Sequence, residues 1–314
     1  MRKSKSSHSA TLIDALKFVG LSGAEYCSIG QGFVTAYTDT VCMGHPITED
    51  LNAKAHIKSL QQSLIKSEHE TTITQLDLSR LQVNSGELQI FINCSEKVEQ
   101  PKPDFDGIKI SKEFLLGLHE LLPIVLKADS NISAKTIMTF GESIFATNRF
   151  ILVERWHGAN LPFTNMSRKL CDLIIKCKKE VAEFCKSDNS VTIYFSDRCW
   201  IMGRISPELW INPFEILNKE LVQSNINDEL QESLRLVPGF NGSSLAYQVN
   251  GRLQSEPAQG AGASYPCGQL PDGGIYGVKE LKYLQKYGKQ ISIIGDDIYF
   301  FGDKMRGAIS SRKG

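Results

Sequence analysis

The chain has 314 residues, long for one hydrophobic core and comfortable for two or three domains. Hydrophobic residues make up 41% and charged residues 22%, the balance of an ordinary soluble globular protein. Lys+Arg and Asp+Glu both number 35, which excludes a whole-molecule field; attraction to nucleic acid would need charge segregated onto one face.

The opening MRKSKSSHSATL is basic and serine-rich but leads into no apolar core of signal-peptide length. No window approaches the roughly 20 apolar residues that cross a bilayer, so the protein is expected in the cytoplasm. Eight cysteines form no CxxC and no Cys/His group at zinc spacing. They are expected as reduced, buried thiols, with Cys171, Cys177 and Cys185 on one helix.

In chain order, TLIDALKFVG (11–20) predicts a helix and 26–47 a group of strands. A second helix is predicted over 52–68, then a hairpin in LQVNSGELQIF (81–91). EKVEQPKPDFDG (96–107), charged and carrying two prolines, is a linker. The order then recurs: helix 111–126, strands 135–156, helix 166–184, hairpin VTIYFSDRCWIM (191–202). After a boundary at SPELWINPF (206–214) it recurs again. Helix 227–237 carries Asn227 as a cap with Asp228 and Glu229 in its first turn. Strands 243–256, helix 278–288 and hairpin ISIIGDDIYFF (291–301) follow. The Gly/Pro-rich stretch 257–277 departs from the pattern and is expected as a mobile loop; Gly260 and Gly262 lack the context of a phosphate cradle.

Helix, strands, helix, hairpin is thus written three times, about one hundred residues apart. The expectation is an α+β protein of three repeated domains, 1–101, 102–213 and 214–314, each with two helices packed on antiparallel sheets. The repetition decides how Asp296 and Asp297 are read. The matching positions in the other copies are Ser85-Gly86-Glu87 and Ser196-Asp197-Arg198, which share only the polar, permissive character of a turn. A metal site on Asp296, Asp297 or Glu154, serving a nucleic-acid enzyme, is the rival reading; no further carboxylates point to it. No metal or cofactor is expected.

The helix before each hairpin is amphipathic with lysine on its outer face. Lys279, Lys282 and Lys286 lie at i, i+3 and i+7, opposite Leu281 and Leu284, with Lys289 just beyond. Lys58, Gln62 and Lys66 lie across from Ile57, Leu60 and Leu64. Lys176 and Lys179 face outward with Arg168 and Lys169 at the helix start, diluted by Asp172, Glu180 and Glu183. One such helix is an ordinary solvated surface. Three at equivalent places suggest a wall that binds phosphate backbone without reading bases.

With these elements in place the chain resembles the bacterial-type DNA sliding clamp, the β subunit of DNA polymerase III. IGQGFVTAYTD (29–39) is similar to the first-domain pattern of that family. FGESIFATNRFILVERW (140–156) is similar to the second-domain stretch ending Ala-Thr-Asp-Gly-His-Arg-Leu, with Asn148 replacing Asp and two residues lost. Ser167-Arg168-Lys169 resembles the Pro-Arg-Lys that opens the family's inner helix. The shorter units suit a divergent member, such as one carried by a bacterial virus.

The resemblance implies a DNA-clamp fold and a ring of two three-domain chains joined head to tail, with helices around double-stranded DNA. It implies a processivity factor without its own catalytic site. Polymerase and loader would bind through short peptides in a pocket between the second and third domains. The matching positions are Thr147, Arg149 and Phe150, with Tyr299, Phe300 and Phe301 of the last hairpin and Met305 near the end. The family's terminal Met-Pro-Met-Arg-Leu is replaced by DKMRGAISSRKG (303–314). A clamp-shaped interaction module that does not encircle DNA is the other alternative.

Overall fold

The computed structural model describes residues 7–65, 71–95, 103, 106–207, 209–257 and 262–312. They pack as two compact units, 1–115 with 169–207 and 116–168 with 208–314.

The first unit begins with α1 (Ser7–Gly20), β1 (Tyr26–Gly30), β2 (Phe33–Tyr37), β3 (Val41–Pro46) and β4 (Ala53–His56). Helix α2 (Ile57–Ile65) precedes β5 (Thr71–Asp77), β6 (Arg80–Ser85), β7 (Leu88–Ser95) and β8 (Ile108–Lys109). Within α3 (Lys112–Leu121) the chain passes to the second unit, for α4 (Ile132–Lys135), β9 (Thr136–Thr147) and β10 (Ile151–Ser167). It returns for α5 (Arg168–Lys176), β11 (Val181–Lys186), β12 (Ser190–Phe195) and β13 (Trp200–Arg204). The rest lies in the second unit: α6 (Pro213–Leu217), β14 (Ser224–Asn225), α7 (Asp228–Leu236), β15 (Leu245–Val249) and β16 (Arg252–Gln254). It ends with β17 (Ser264–Pro266), β18 (Ile275–Gly277), α8 (Val278–Tyr287), β19 (Gln290–Ile294), β20 (Asp297–Gly302) and β21 (Met305–Ile309).

The first unit holds one sheet in the order β5-β6-β7-β4-β1-β2-β3-β13-β12-β11-β8. The second holds β14-β19-β20-β21-β10-β9 and a smaller β17-β16-β15-β18. The stretch 102–213, expected as one repeat, is shared between the units because its two halves pair with different neighbours. Strand β13 pairs with β3 (Trp200↔Gly44 to Gly203↔Val41), and β10 pairs with β21 (Ile151↔Ile309 to Arg155↔Met305).

Each unit has a helix pair over its sheet. Leu12, Leu16 and Val19 of α1 are buried with Leu60 and Leu64 of α2; Leu230 and Leu234 of α7 are buried with Leu281 and Leu284 of α8. Asn227 caps α7, its Oδ1 accepting the Leu230 N–H at 2.7 Å. The three expected hairpins are β6–β7, β12–β13 and β19–β20. Ser85 faces Leu88 and Ile294 faces Asp297, so two of them close on two-residue turns, Gly86-Glu87 and Gly295-Asp296. Gly86 and Gly295 take φ of +60° and +58°, a region that glycine enters without the steric cost a side chain pays.

Three expected helices are shorter than the sequence pattern suggests. The span 166–184 is α5 only to Lys176; Lys178 turns left-handed (φ 51°), and Val181–Lys186 becomes β11. Cys177 and Cys185 therefore do not share a helix with Cys171. Apolar residues at 181 and 184 fit a helix period, but pairing with both β12 and β8 decides for strand. The span 52–68 opens with β4, and α2 starts at Ile57. The helix of 111–126 ends at Leu121, two residues before Pro123. The stretch 257–277 contains β17 and β18, so it is not wholly loop. Of the linker 96–107, only 103, 106 and 107 are among the described residues.

Candidate nucleic-acid face and partner pocket

On α8, Val278, Leu281, Tyr283 and Leu284 are buried while Lys279, Lys282 and Lys286 are exposed, as a helix period of 3.6 requires. Lys289, past the helix end, pairs with Asp303 at 2.6 Å. On α2, Lys58 and Gln62 are exposed opposite Ile57, Leu60 and Leu64; Lys66 lies outside the described residues. On α5, Lys169 and Lys176 are exposed, and Lys176 pairs with Asp172 at 2.6 Å. Arg168 is otherwise engaged. Its guanidinium donates to the carbonyls of Leu122 (2.8 Å) and Val125, just beyond the C-terminus of α3. Lys179 lies beyond α5, is partly buried, and donates to the Asp197 carboxylate. Its Nζ also stands 5.4 Å from the centre of the Phe18 ring.

A second feature is a cavity of about 380 Å³ in the second unit, lined by Thr147, Arg149, Phe150, Leu152, Ile216 and Ala308 among others. The β9–β10 turn shapes its mouth. Asn148 Oδ1 accepts the N–H groups of Phe150 and Ile151, both at 3.0 Å, and Thr147 Oγ1 accepts the Arg149 N–H at 3.1 Å. These bonds hold Arg149 in a left-handed conformation (φ 82°) that turns its side chain outward. The guanidinium then donates to Asp129, whose carboxyl is held below its usual range by the Asn131 N–H first and Arg149 second. Phe150 lies under the Arg312 guanidinium, 4.0 Å from its ring centre.

Asn148 ties this turn to α8. Its Nδ2 donates to Glu280 Oε1 at 2.5 Å, and Arg312 donates to the same oxygen at 3.2 Å. Glu280 is only 2% exposed, so the neutral amide spares it a second carboxylate.

The structure brings Thr147, Arg149 and Phe150 together at this cavity and places the later residues differently. Alternation along β20 sends Tyr299 and Phe301 to the core beneath the cavity, with Met138, Phe145, Trp210 and Ala308. Phe300 points the other way, against Tyr283 of α8. Met305 also meets Tyr283, whose hydroxyl lies 3.6 Å from its sulfur. The lining from the chain's end comes instead from Ala308 and Ser310, with Ile211 and Ile216 from around α6. Sequence reasoning missed these four; the only signal was the Pro213-Phe214 helix start, capped by Asn212.

Of the residues in the rival metal-enzyme reading, Glu154 has its carboxylate tied to structural partners, and Asp296 and Asp297 lie at the β19–β20 hairpin turn. Glu154 is 3% exposed, accepting from Arg306 at 2.6 Å and Ser143 at 2.8 Å. The Asp296 carbonyl accepts the Tyr276 hydroxyl at 2.9 Å, and Asp297 begins β20. None of the eight cysteines is in a disulfide, and burial pushes the thiols of Cys27, Cys42, Cys177 and Cys199 up to about 12. No helix among the described residues is long and apolar enough to cross a membrane.

The fold, with its paired helices and antiparallel sheets, is that of the bacterial DNA polymerase III β clamps. A β clamp from Helicobacter pylori bound to a DNA ligase peptide matches with a TM-score of 0.73 at 13% identity, covering 98% of this chain and 99% of that one. The DNA polymerase III β subunit of Pseudomonas aeruginosa matches at 0.74 and 12% identity over 98% of both chains. A putative β subunit from Eubacterium rectale matches at 0.74 and 10% identity over 97% of both. No family model matches the sequence, and no curated protein does.

Proposed function

We propose that this chain is a DNA sliding clamp: a ring that encloses duplex DNA and tethers replication proteins to it. The observation that carries the reading is the fold match, which covers 97% or more of this chain and of each β clamp quoted. A likeness that spans both chains from end to end supports a shared architecture better than a shared module would.

In this reading the repeats are 1–101, 102–213 and 214–314, and two copies close the ring. Strand edges favour such closure. Strand β7 pairs with β6 from Leu88 to Asn93 but with β4 only at Cys94 and Ser95. Among the described residues, one edge of 88–93 therefore has no strand partner, and Phe91 on it is 56% exposed. An apolar open edge invites pairing with another chain, and a closed cyclic dimer uses it up. The exposed lysines of α2, α5 and α8 then meet phosphates of the enclosed duplex weakly and without base readout. The cavity beside Phe150 takes apolar side chains of short peptides from a polymerase and a loader; the Helicobacter pylori clamp was solved with a DNA ligase peptide. Enclosure and tethering raise the local concentration of the polymerase, work that needs no catalytic residue or cofactor of the clamp's own. It would take place in the cytoplasm.

Topology is the test. Protein loaded on nicked circular DNA should stay with the circle through gel filtration and fall off when the circle is cut. Protein that remains on the linear product is a surface binder, and the reading fails. Light scattering should give twice 34.9 kDa; a monomer at micromolar concentration counts against the ring.

A further inference from the structure

The first unit has a second constellation that the clamp reading does not use. Strand β3, the β12–β13 turn and the segment after α5 meet at an open groove of about 580 Å³ whose apolar wall is Phe18 and Leu21. There His45, Asp197 and Cys199 each present a ligand atom, and these atoms lie within 4.8 Å of one another. Sequence spacing could not reveal the group, because His45 is far from the other two and β3–β13 pairing brings them together.

Each ligand is held by its neighbours. His45 Nδ1 lies 2.7 Å from the Pro46 carbonyl. A carbonyl only accepts, so Nδ1 carries the proton and Nε2 keeps the lone pair that a metal needs. Partners of this kind orient metal-binding imidazoles. Asp197 Oδ1 accepts the Cys199 N–H at 3.1 Å, fixing the carboxylate over the buried thiol. Cys177 lines the same groove. The ammonium of Lys179 now neutralises Asp197, and it sits on a flexible stem that can swing to solvent.

One imidazole nitrogen, one thiol sulfur and one carboxylate oxygen make a donor set that suits zinc and its transition-metal relatives; calcium and magnesium prefer oxygen alone. We propose that His45, Asp197 and Cys199 bind a zinc-class divalent cation, leaving a fourth position for water. On binding, the sulfur–metal bond replaces the sulfur–hydrogen bond, the thiol proton leaves to buffer, and Lys179 releases the carboxylate. The metal then joins β3 to the β12–β13 turn, beside the ladder where the first and second sequence repeats meet.

Cobalt(II) is the probe, titrated into full-length protein first stripped with chelator. The expected result is one equivalent bound, with a thiolate-to-cobalt charge-transfer band in the near ultraviolet that zinc abolishes. Cys199→Ser should lose the band and Cys94→Ser should keep it. Because Cys199 is fully buried and its variant could misfold, His45→Gln and Asp197→Asn at the groove surface decide independently, each weakening cobalt binding at least about ten-fold. A wild-type protein without the band overturns the proposal, as does unchanged affinity in both surface variants.

Discussion

A Cβ added at Gly44 would stand 2.2 Å from the indole of Trp200, so the β3–β13 ladder closes only because residue 44 has no side chain. Trp200 faces Gly44 in register and is 3% exposed. A methyl group there would force the buried ring or the strand backbone to shift. Gly44→Ala should destabilise the protein by about 1–3 kcal/mol, the usual cost of overpacking a core. Urea denaturation checks this; an unchanged midpoint would mean that the seam has slack enough for a methyl group.

Asn148 is the next lever. Replacing it with Asp removes the donor to Glu280 Oε1 and adds a like charge beside a carboxylate that is already buried. The expected cost is roughly 1–3 kcal/mol; Asn148→Ala adds no charge, but besides the donor it removes the Oδ1 that accepts the Phe150 and Ile151 N–H groups. Denaturation of the two variants beside the parent measures both costs.

His157 predicts an acid sensitivity. Desolvation is the main cause that lowers its pKa from 6.5 to about 4, with Arg155 adding to it. Above pH 6.5 neither the folded nor the unfolded form binds the proton, and the residue contributes no slope. Below it the unfolded chain takes the proton first, so stability falls as pH drops from 6.5 to about 4 and levels off beyond. The full effect is on the order of 3 kcal/mol. His157→Gln should flatten that part of a stability-versus-pH curve; a variant with the parent's slope would refute the assignment.

Lys279, Lys282 and Lys286 are exposed on one face of α8, so changing all three to alanine should leave the fold intact. If they meet phosphates, the plot of log affinity for duplex DNA against log salt should become shallower by about 0.9 for each phosphate no longer neutralised. Equal slopes for parent and variant would remove α8 from the interface.

Phe150→Ala tests the cavity. A peptide with two adjacent bulky apolar side chains should bind the variant with a loss of about 2 kcal/mol or more, as for an interface anchor. Circular dichroism confirms that the fold survives, and unchanged affinity would locate the peptide elsewhere.

Much of this architecture is legible in the sequence alone. The three hairpins, the Asn227 cap and the lysine faces of α2 and α8 are local patterns, written within a few neighbouring residues. What escaped was set by distant partners. Val181–Lys186 became a strand because β12 and β8 lie beside it, and Lys179 left the expected helical face for Asp197 across the groove. At the cavity, Thr147, Arg149 and Phe150 could be named because they fall in the stretch 140–156 that carries the family resemblance. Ala308 and Ser310 could not, since the register of β21 on β10 decides which end residues reach it. His45 with Cys199 was beyond reach for the same reason.

The two ladders β3–β13 and β10–β21 are made from peptide N–H and C=O groups, which nearly every residue type supplies alike. Only a few positions, Gly44 and Gly307 among them, are dictated by what stands overhead. Joints of that sort tolerate almost complete rewriting of the letters between their pins. Identity of 10–13% beside TM-scores above 0.7 is what such tolerance allows: one backbone geometry spelled in very different letters.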